Sequence, residues 1–348
     1  MKVAMKARKE IKCVVWDLDN TIWEGILLEN DNVRLRPGII QVIETLDARG
    51  ILHSIASKNN RDFALEKLRE FGIADYFLYP EISWNAKSVS IERIRKNLNL
   101  GKDRLLFIDD QRFERDEVNF VHPEVLCLGA EDYMKLPEHP LLNPRFITQD
   151  SRRRRIMYLD DQKRKHAESE FIGPRTDYLA SLELVLTINN AEEIDLQRAE
   201  ELTMRTNQLN TTGKTYGYGE LKRMIDSDRH MILIGELIDK YGSFGKIGLA
   251  SIEKFDVLWN LRLFLMSCRV MAYGIGSVFL TYILQKAKEE GNKVTAEFIH
   301  TDFNRMMYIT LKFSNFTEIG SGPGGNVIFE NDLSLIQKIP HYIKLRAG

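Results

Sequence analysis

Cys13-Val14-Val15-Trp16-Asp17-Leu18-Asp19-Asn20-Thr21 is an apolar run that stops abruptly at two aspartates and a threonine. The run Cys13 to Trp16 predicts a buried strand. Residues i and i+2 of an extended chain point the same way, so Asp17 and Asp19 are expected to converge just beyond the strand end. That is where an open parallel sheet keeps its ligand crevice. Carboxylate oxygens gathered there suit Mg2+, which keeps several waters and takes one or two carboxylates plus a substrate phosphate. The simpler reading is an Asx-rich turn after a strand.

The following residues repeat the pattern of strand, polar end and helix. Pro37-Gly38 opens an amphipathic helix carrying Ile39, Ile40, Ile43 and Leu46, with Gly50 as its stop. A strand over 51–56 ends in Ser57, and a helix from Arg61 to Phe71 follows. Further elements are predicted at Tyr76–Leu78, Ser88–Leu98, Arg104–Ile108 and Glu124–Cys127, with the segment Ile22 to Arg36 too short for a large lid. Such alternation implies crossover connections and a parallel sheet with helices on both faces. Ser57, Lys87 (within Trp84-Asn85-Ala86-Lys87-Ser88) and the pair Asp109-Asp110 then belong to the same sheet edge as Asp17. Each has a plainer reading as well: a helix N-cap, a solvated lysine, an acidic turn. Together and in this order they resemble the haloacid dehalogenase (HAD) superfamily of phosphoryl-transfer enzymes. The resemblance implies Asp17 and Asp19 as catalytic carboxylates with Ser57 and Lys87 beside them. It also implies a Mg2+ site at Asp17, Asp19, Asp109 and Asp110, and Asn20, Thr21 and Asn59 lining the substrate.

The chain has 348 residues, which favours two domains over one. Its 44% apolar and 28% charged residues are those of an ordinary globular protein. A formal net charge of -1 gives no basic field for nucleic acid. No apolar run approaches the roughly 18–20 residues of a membrane span, and Met1 to Glu10 leads into no signal-peptide core. Cys13, Cys127 and Cys268 make neither a metal spacing nor a disulfide framework, which fits a reducing cytoplasm. The expected organisation is an α/β, HAD-like phosphatase domain over 1–145 and a linker helix within 146–178. A second α/β domain covers 179–348. A proline-spaced stretch, Pro137–Pro144, leads into the linker, whose charged helix, Asp150 to Glu170, is read mainly as solvated.

The second half predicts strand, helix, strand, strand, strand, helix, strand. Its strands are expected at Leu184–Ile188, Met231–Ile238, Lys246–Ile252, Val257–Met266 and Lys293–Ile299, its helices at Ala191–Met204, Tyr218–Ile225 and up to Lys288, with a short one at Asn304–Lys312. After the fourth strand comes Ser267-Cys268-Arg269-Val270-Met271-Ala272-Tyr273-Gly274-Ile275-Gly276. A strand feeding a glycine turn that opens a helix presents unsatisfied N–H groups to an anion. Arg269-x-x-Ala272-x-Gly274 resembles the pyrophosphate turn of GNAT-type acyltransferases, with Ala272 where the first glycine usually stands. Cys268, at the head of this turn and beside Arg269, is placed to react as a thiolate; a buried structural cysteine is the alternative.

Four stretches together resemble the FkbH-like family, glyceryl transferase/phosphatases of polyketide biosynthesis with a HAD domain fused to a GNAT-like one. They are Asp17-Leu18-Asp19-Asn20-Thr21-Ile22-Trp23-x-Gly25, Phe107-Ile108-Asp109-Asp110-x-x-Phe113-Glu114-Arg115, Arg205-Thr206-Asn207-Gln208-x-Asn210 and Ser267-Cys268-Arg269-Val270. The resemblance implies 1,3-bisphosphoglycerate as substrate, capture of its phosphoglyceryl group by Cys268, dephosphorylation at Asp17, and transfer to the phosphopantetheine arm of an acyl carrier protein. Arg205, Asn207, Gln208, Asn210, Arg269, Thr301 and Asn304 are then substrate-binding candidates, and His300 a catalytic one. Two other functions are open: a Mg-dependent phosphatase of a small metabolite fused to an acyl-CoA-dependent acyltransferase, and a non-catalytic module that docks carrier proteins.

Overall fold

The structure is a computed structural model that describes residues 9–29, 32–322 and 324–348. The charged start before Lys9, and residues 30 and 31 of the short segment after Thr21, lie outside them. The chain divides into two compact units, one ending at Leu159 and one beginning at Asp160.

The first unit is built on β1 (Cys13–Trp16), whose four side chains are all buried. Alternate residues of a strand face opposite sides. Val14 and Trp16 join one core, with Ile43, Ile55 and Leu68, while Cys13 and Val15 join another, with Ile91, Ile94 and Val118. A short ribbon of β2 (Trp23–Glu24) and β3 (Arg34–Leu35) precedes α1 (Ile39–Ala48). Next come β4 (Leu52–Ser57), α2 (Arg61–Glu70), β5 (Glu81–Ile82), α3 (Lys87–Leu98), β6 (Leu105–Asp109), α4 (Arg112–Val121) and β7 (Leu126–Gly129). All pairings in the sheet are parallel, in the order β5-β4-β1-β6-β7. Trp16 sits opposite Ile55 on one side and Ile108 on the other. Asp17, Ser57 and Asp109 therefore leave the sheet at one edge. The strand predicted at Tyr76–Leu78 is instead a 3-10 turn at Ala74–Tyr76 followed by the two-residue β5. The chain bridges to His53 only at Phe77 and then turns at Tyr79, whose φ is +49°, just before Pro80.

The charged stretch between the units is two helices, α5 (Gln149–Arg152) and α6 (Arg154–Glu170), rather than one, and α7 (Arg175–Ser181) follows. Its charges are not all solvated. Within the first unit Arg155 pairs with Asp47 at 2.9 Å. Within the second, Arg164 is buried against Asp239 through two hydrogen bonds of 2.6 and 3.0 Å.

The second unit is a mixed α/β structure. Its elements run β8 (Leu184–Asn190), α8 (Leu196–Arg205), α9 (Tyr218–Ile225), β9 (His230–Asp239), β10 (Gly242–Phe255), β11 (Leu258–Met266), α10 (Ile275–Glu289), β12 (Lys293–Phe298) and α11 (Arg305–Phe313). Three strands not foreseen from the sequence complete it: β13 (Phe316–Ser321), β14 (Val327–Asn331) and β15 (Ile343–Ala347). The sheet order is β13-β14-β12-β11-β10-β9-β8-β15. One face carries α8 and α9 over Ile234, Leu249 and Leu263. The other carries α10, whose Phe279 ring lies so near Gly235 and Gly248 that a Cβ at either would stand 2.9 Å from it. Small residues at those two positions let helix and sheet close up. β11 and β12 are parallel and pair only from Leu258↔Lys293 to Leu261↔Ala296; beyond that the strands part.

Candidate active sites

Lys87 is the first residue of α3 and is buried at the sheet edge. Its ammonium donates to Asp17 Oδ1, lies 3.1 Å from Asp109 Oδ2, and donates to the Ala56 carbonyl at 2.7 Å. Asp17, Asp109 and Asp110 each bring a carboxylate oxygen within 4.8 Å of the others. Asp109 Oδ1 accepts from the Gln111 amide at 2.8 Å, and Arg115 on α4 donates to the carbonyls of Asp109 and Asp110 at 2.6 and 2.9 Å. Arg115 thereby ties the loop after β6 to the helix that follows it.

Three carboxylates this close, two of them buried, strain the electrostatics in one direction. Burial first, and then the charge of Asp17, push the Asp109 carboxyl up to about 6 and raise Asp110 as well. Burial alone would lower the Lys87 ammonium, but Asp17 and Asp109 more than offset it and its pKa is raised. One lysine does not satisfy the group, since Asp110 Oδ1 is buried without a hydrogen-bond partner. A donor set made only of carboxylate oxygens, short of positive charge, fits a hard divalent cation such as Mg2+.

Asp19 is not one of that set. The chain leaves the extended conformation after Trp16 and bridges Asp19 to Trp23. Asp19 Oδ1 accepts from the Trp23 indole at 2.8 Å and the Leu27 amide at 3.2 Å, and Oδ2 accepts from Asn59 at 3.0 Å. These three donors fix the Asp19 side chain, and the set of carboxylate oxygens within 4.8 Å of one another is Asp17, Asp109 and Asp110. Its carboxyl is raised, by burial first and with a contribution from the charge of Asp17.

The residues expected to line the substrate divide into two kinds. Thr21 and Asn59 are buried and serve the scaffold; Thr21 Oγ1 accepts from the Asp110 amide at 3.2 Å, and Asn59 holds Asp19. Asn20 is exposed with φ at +52°, its Oδ1 accepting from the Gly25 amide at 3.0 Å. Ser57 is buried at the end of β4. Four contributors are not among the candidates named from the sequence: Trp23, Arg115, the Lys58–Glu114 pair at 2.6 Å, and Glu117. Glu117 accepts from both the amide (3.1 Å) and the hydroxyl of Ser88, capping α3 one residue after Lys87. Trp23 and Phe113-Glu114-Arg115 belong to sequence motifs, but nothing in their spacing says which partners they take.

In the second unit Cys268 is exposed and stands two residues beyond the buried end of β11. The turn after it is a 3-10 helix, Cys268–Tyr273, and Gly274 at φ +73° opens α10. Arg269 is exposed and donates to Ser267 Oγ at 3.3 Å. Asn207 and Gln208 are exposed; Arg205 pairs with Glu201 at 2.6 Å. His300 is exposed, its ring edge-on to Phe298 (4.9 Å) and against Tyr308 (5.5 Å), and Thr301 is exposed beside it. Asn210 and Asn304, expected to bind substrate, are bonded to backbone groups. Both are buried, and their amides bond to the chain itself.

No helix among the described residues is long and apolar enough to cross a membrane. No curated protein matches this chain. Among solved structures, one is the N-terminal part of a Bacteroides fragilis protein containing a phosphatase domain, complexed with Mg. It is 30% identical over 36% of this chain and 39% of its own, with a TM-score of 0.33. This chain thus spans well under half the length of that protein. The ribosomal-protein-S18-alanine N-acetyltransferase from Escherichia coli is 13% identical over 44% of this chain and 97% of its own, with a TM-score of 0.34. An N-acetyltransferase from Staphylococcus aureus Mu50 is 16% identical over 42% and 98%, at 0.33. Residues 24–112, which include Ser57, Lys87, Asp109 and Asp110, match the haloacid dehalogenase-like hydrolases. The matched stretch lies in the unit that holds the carboxylate–lysine cluster and begins just after Asp17 and Asp19.

Proposed function

We propose that this chain is a bifunctional glyceryl transferase/phosphatase of the FkbH-like kind. It takes the phosphoglyceryl group of 1,3-bisphosphoglycerate as a Cys268 thioester, removes the phosphate at the Asp17 site, and loads glyceryl onto an acyl carrier protein in polyketide biosynthesis. The observation that carries it is Lys87 paired with Asp17 beside Asp109 and Asp110. A docking module has no reason to bury such a group.

In the phosphatase step an Asp17 oxygen bonds to phosphorus as the ester P–O bond breaks. Asp19, whose carboxyl is raised by burial first, then by the charge of Asp17, gives its proton to the departing alkoxide. Water then attacks the phosphorus of the aspartyl phosphate, Asp19 takes its proton, and Asp17 and inorganic phosphate are released. Lys87 and the Ser57 hydroxyl orient the phosphoryl oxygens, and positioning and charge dominate such transfers. Asp17, Asp109 and Asp110 would hold Mg2+, which would supply positive charge for the phosphoryl group.

In the acyl step the Cys268 thiolate bonds to the acyl carbon of the acyl phosphate and the C–O bond to phosphate breaks, so no ATP is needed. The carrier's phosphopantetheine thiolate then attacks the thioester and Cys268 leaves as thiolate. Support for this half is the exposure of Cys268 at a strand end beside Arg269. Intact-protein mass spectrometry after exposure to 1,3-bisphosphoglycerate, with and without a carrier protein, tests the scheme. A phosphoglyceryl adduct that disappears in Cys268→Ala and persists in Asp17→Asn supports it. Normal carrier loading by Cys268→Ala removes the thioester.

A further inference from the structure

Where β11 and β12 part, their facing backbone groups no longer pair with each other, and an extended amide-bearing chain can pair with such edges. Here the protein fills the gap from its own sequence. Leu209-Asn210-Thr211 lies antiparallel to β11, with Asn210 bridged to Leu265. The Met266 amide donates to the Leu209 carbonyl at 2.8 Å and the Thr211 amide to the Phe264 carbonyl at 2.9 Å. The Phe264 amide donates to Thr211 Oγ1 at 3.0 Å. On the other side the Ile299 amide, one residue past β12, donates to the Thr211 carbonyl at 2.9 Å. The inserted residues are buried, Asn210 and Thr211 completely.

Two asparagines lock the insert. Asn304 is 1% exposed, and its Nδ2 donates to the Asn210 carbonyl at 3.0 Å and the Ile299 carbonyl at 2.8 Å, while its Oδ1 accepts from the Thr301 amide at 3.0 Å. Asn210 Nδ2 donates to the Thr206 carbonyl at 3.2 Å, and its Oδ1 accepts from the amides of Thr212 (3.1 Å) and Gly213 (2.9 Å). Thus the strand end two residues before Cys268, the turn at Thr301 and the loop carrying Asn207 and Gln208 are all bonded to one three-residue segment. Because the insert runs antiparallel to β11, Asn207 and Gln208, just before it, lie toward the end of β11 from which the chain goes on to Cys268.

We infer that the latched insert Leu209–Thr211 occupies the gap between β11 and β12 in place of an amide-bearing arm, and that Asn210 and Asn304 are positioning residues for Cys268. The inference rests on Cys268 being the acyl-accepting nucleophile. It predicts that an arm meets the thiol at the strand ends, past Asn207 and Gln208, and not along the strand edges.

Two variants of the full-length protein test it. Asn304→Asp keeps the acceptor for Thr301 and loses both donated bonds; Thr211→Val keeps the shape and loses the acceptor for Phe264. Hydrogen exchange at the amides of Phe264, Met266 and Ile299 reports the latch, and hydrolysis of p-nitrophenyl phosphate checks that the first unit is intact. With the latch loosened, single-turnover thioester formation from 1,3-bisphosphoglycerate is expected to fall about tenfold or more, with little change in the concentration needed for half-maximal rate. Iodoacetamide alkylation of Cys268 is expected to change its pH profile, which mere loss of stability would not do. Faster exchange with thioester formation and pH profile both as in the unmodified protein overturns the inference. So does unchanged exchange in both variants. Faster exchange at these amides in the unmodified protein on adding pantetheine also overturns it, because the arm would then be displacing the insert. If the unmodified protein forms no thioester at all, the transfer reading fails by itself, and the alkylation profile alone decides the latch.

Discussion

Asp17 and Cys268 both come just after a buried strand end, yet one is buried among charges and the other stands in water on a frame of backbone bonds. Asp17 has Lys87 on one carboxylate oxygen and two further carboxylates within reach. Cys268 is exposed, and its strand is held through the Met266 amide by a loop that carries no net charge between Thr206 and Gly213. A buried ionised group requires a fixed counter-charge, because removing one partner strands the other in low dielectric. An exposed thiol requires only that its backbone stay still. The first site is thus set by electrostatics and the second by hydrogen-bond geometry, and substitutions should separate them.

The largest separation is expected from Asp17→Asn. Hydrolysis of p-nitrophenyl phosphate should fall by roughly 10^3-fold or more, as for loss of a nucleophile, with the alkylation rate of Cys268 unmoved. A residual rate within tenfold of normal would take Asp17 out of the chemistry. Next is Lys87→Met, which leaves Asp17 and Asp109 without their ammonium. Urea unfolding of the first unit in EDTA should show a loss of about 3–5 kcal/mol, partly recovered when Mg2+ is added. A loss below about 1 kcal/mol would mean that water already screens these carboxylates, and the contrast with Cys268 would collapse.

A third test uses pH. His53 is wholly buried, its Nδ1 accepting from the Trp16 indole at 3.0 Å and its Nε2 3.2 Å from the Ile43 carbonyl. Burial lowers its pKa from 6.5 to about 3. Below pH 6.5 the unfolded chain takes up a proton that the folded one refuses, so stability present above pH 6.5 is lost as pH falls toward 3. The slope approaches about 1.4 kcal/mol per pH unit. Comparing His53→Gln with the unmodified protein from pH 7 to 4.5 isolates this part, and parallel curves would contradict it. The smallest effect is expected from Glu117→Gln, which weakens the cap on α3 by about 1 kcal/mol. Its readout is a modest fall in kcat for phosphate-ester hydrolysis with KM unchanged; a change in KM alone would mean that Glu117 does not act through Lys87.

Much of the first unit was legible because its strands are short, apolar and cut off by polar residues. Cys13–Trp16 and Leu105–Ile108 could be read as buried strands, and the residues after them had to emerge at one edge. The partners of Asp19 could not be read, because the i, i+2 rule holds only while the chain stays extended, and it turns at Asp17-Leu18-Asp19 to bring Trp23 back onto Asp19. The last three strands were missed for a different reason. Only Phe316 of β13 is buried, and β15 has only Ile343 buried, so neither shows the alternation that marks a half-buried strand. The backbone partners of Asn210 and Asn304 could not be read either, because an asparagine's donors and acceptors are the same whether they meet a substrate or a backbone. Only tertiary structure distinguishes the two.

Lys87 also bears on the order in which the protein is assembled. With an ammonium already seated among the carboxylates, the folded chain carries a provisional cation of its own. Small zinc modules collapse when stripped of metal because the ion is the fold's staple. In this chain a chelator should instead remove activity and spare shape, and the ion should be able to arrive late, leave and return without refolding.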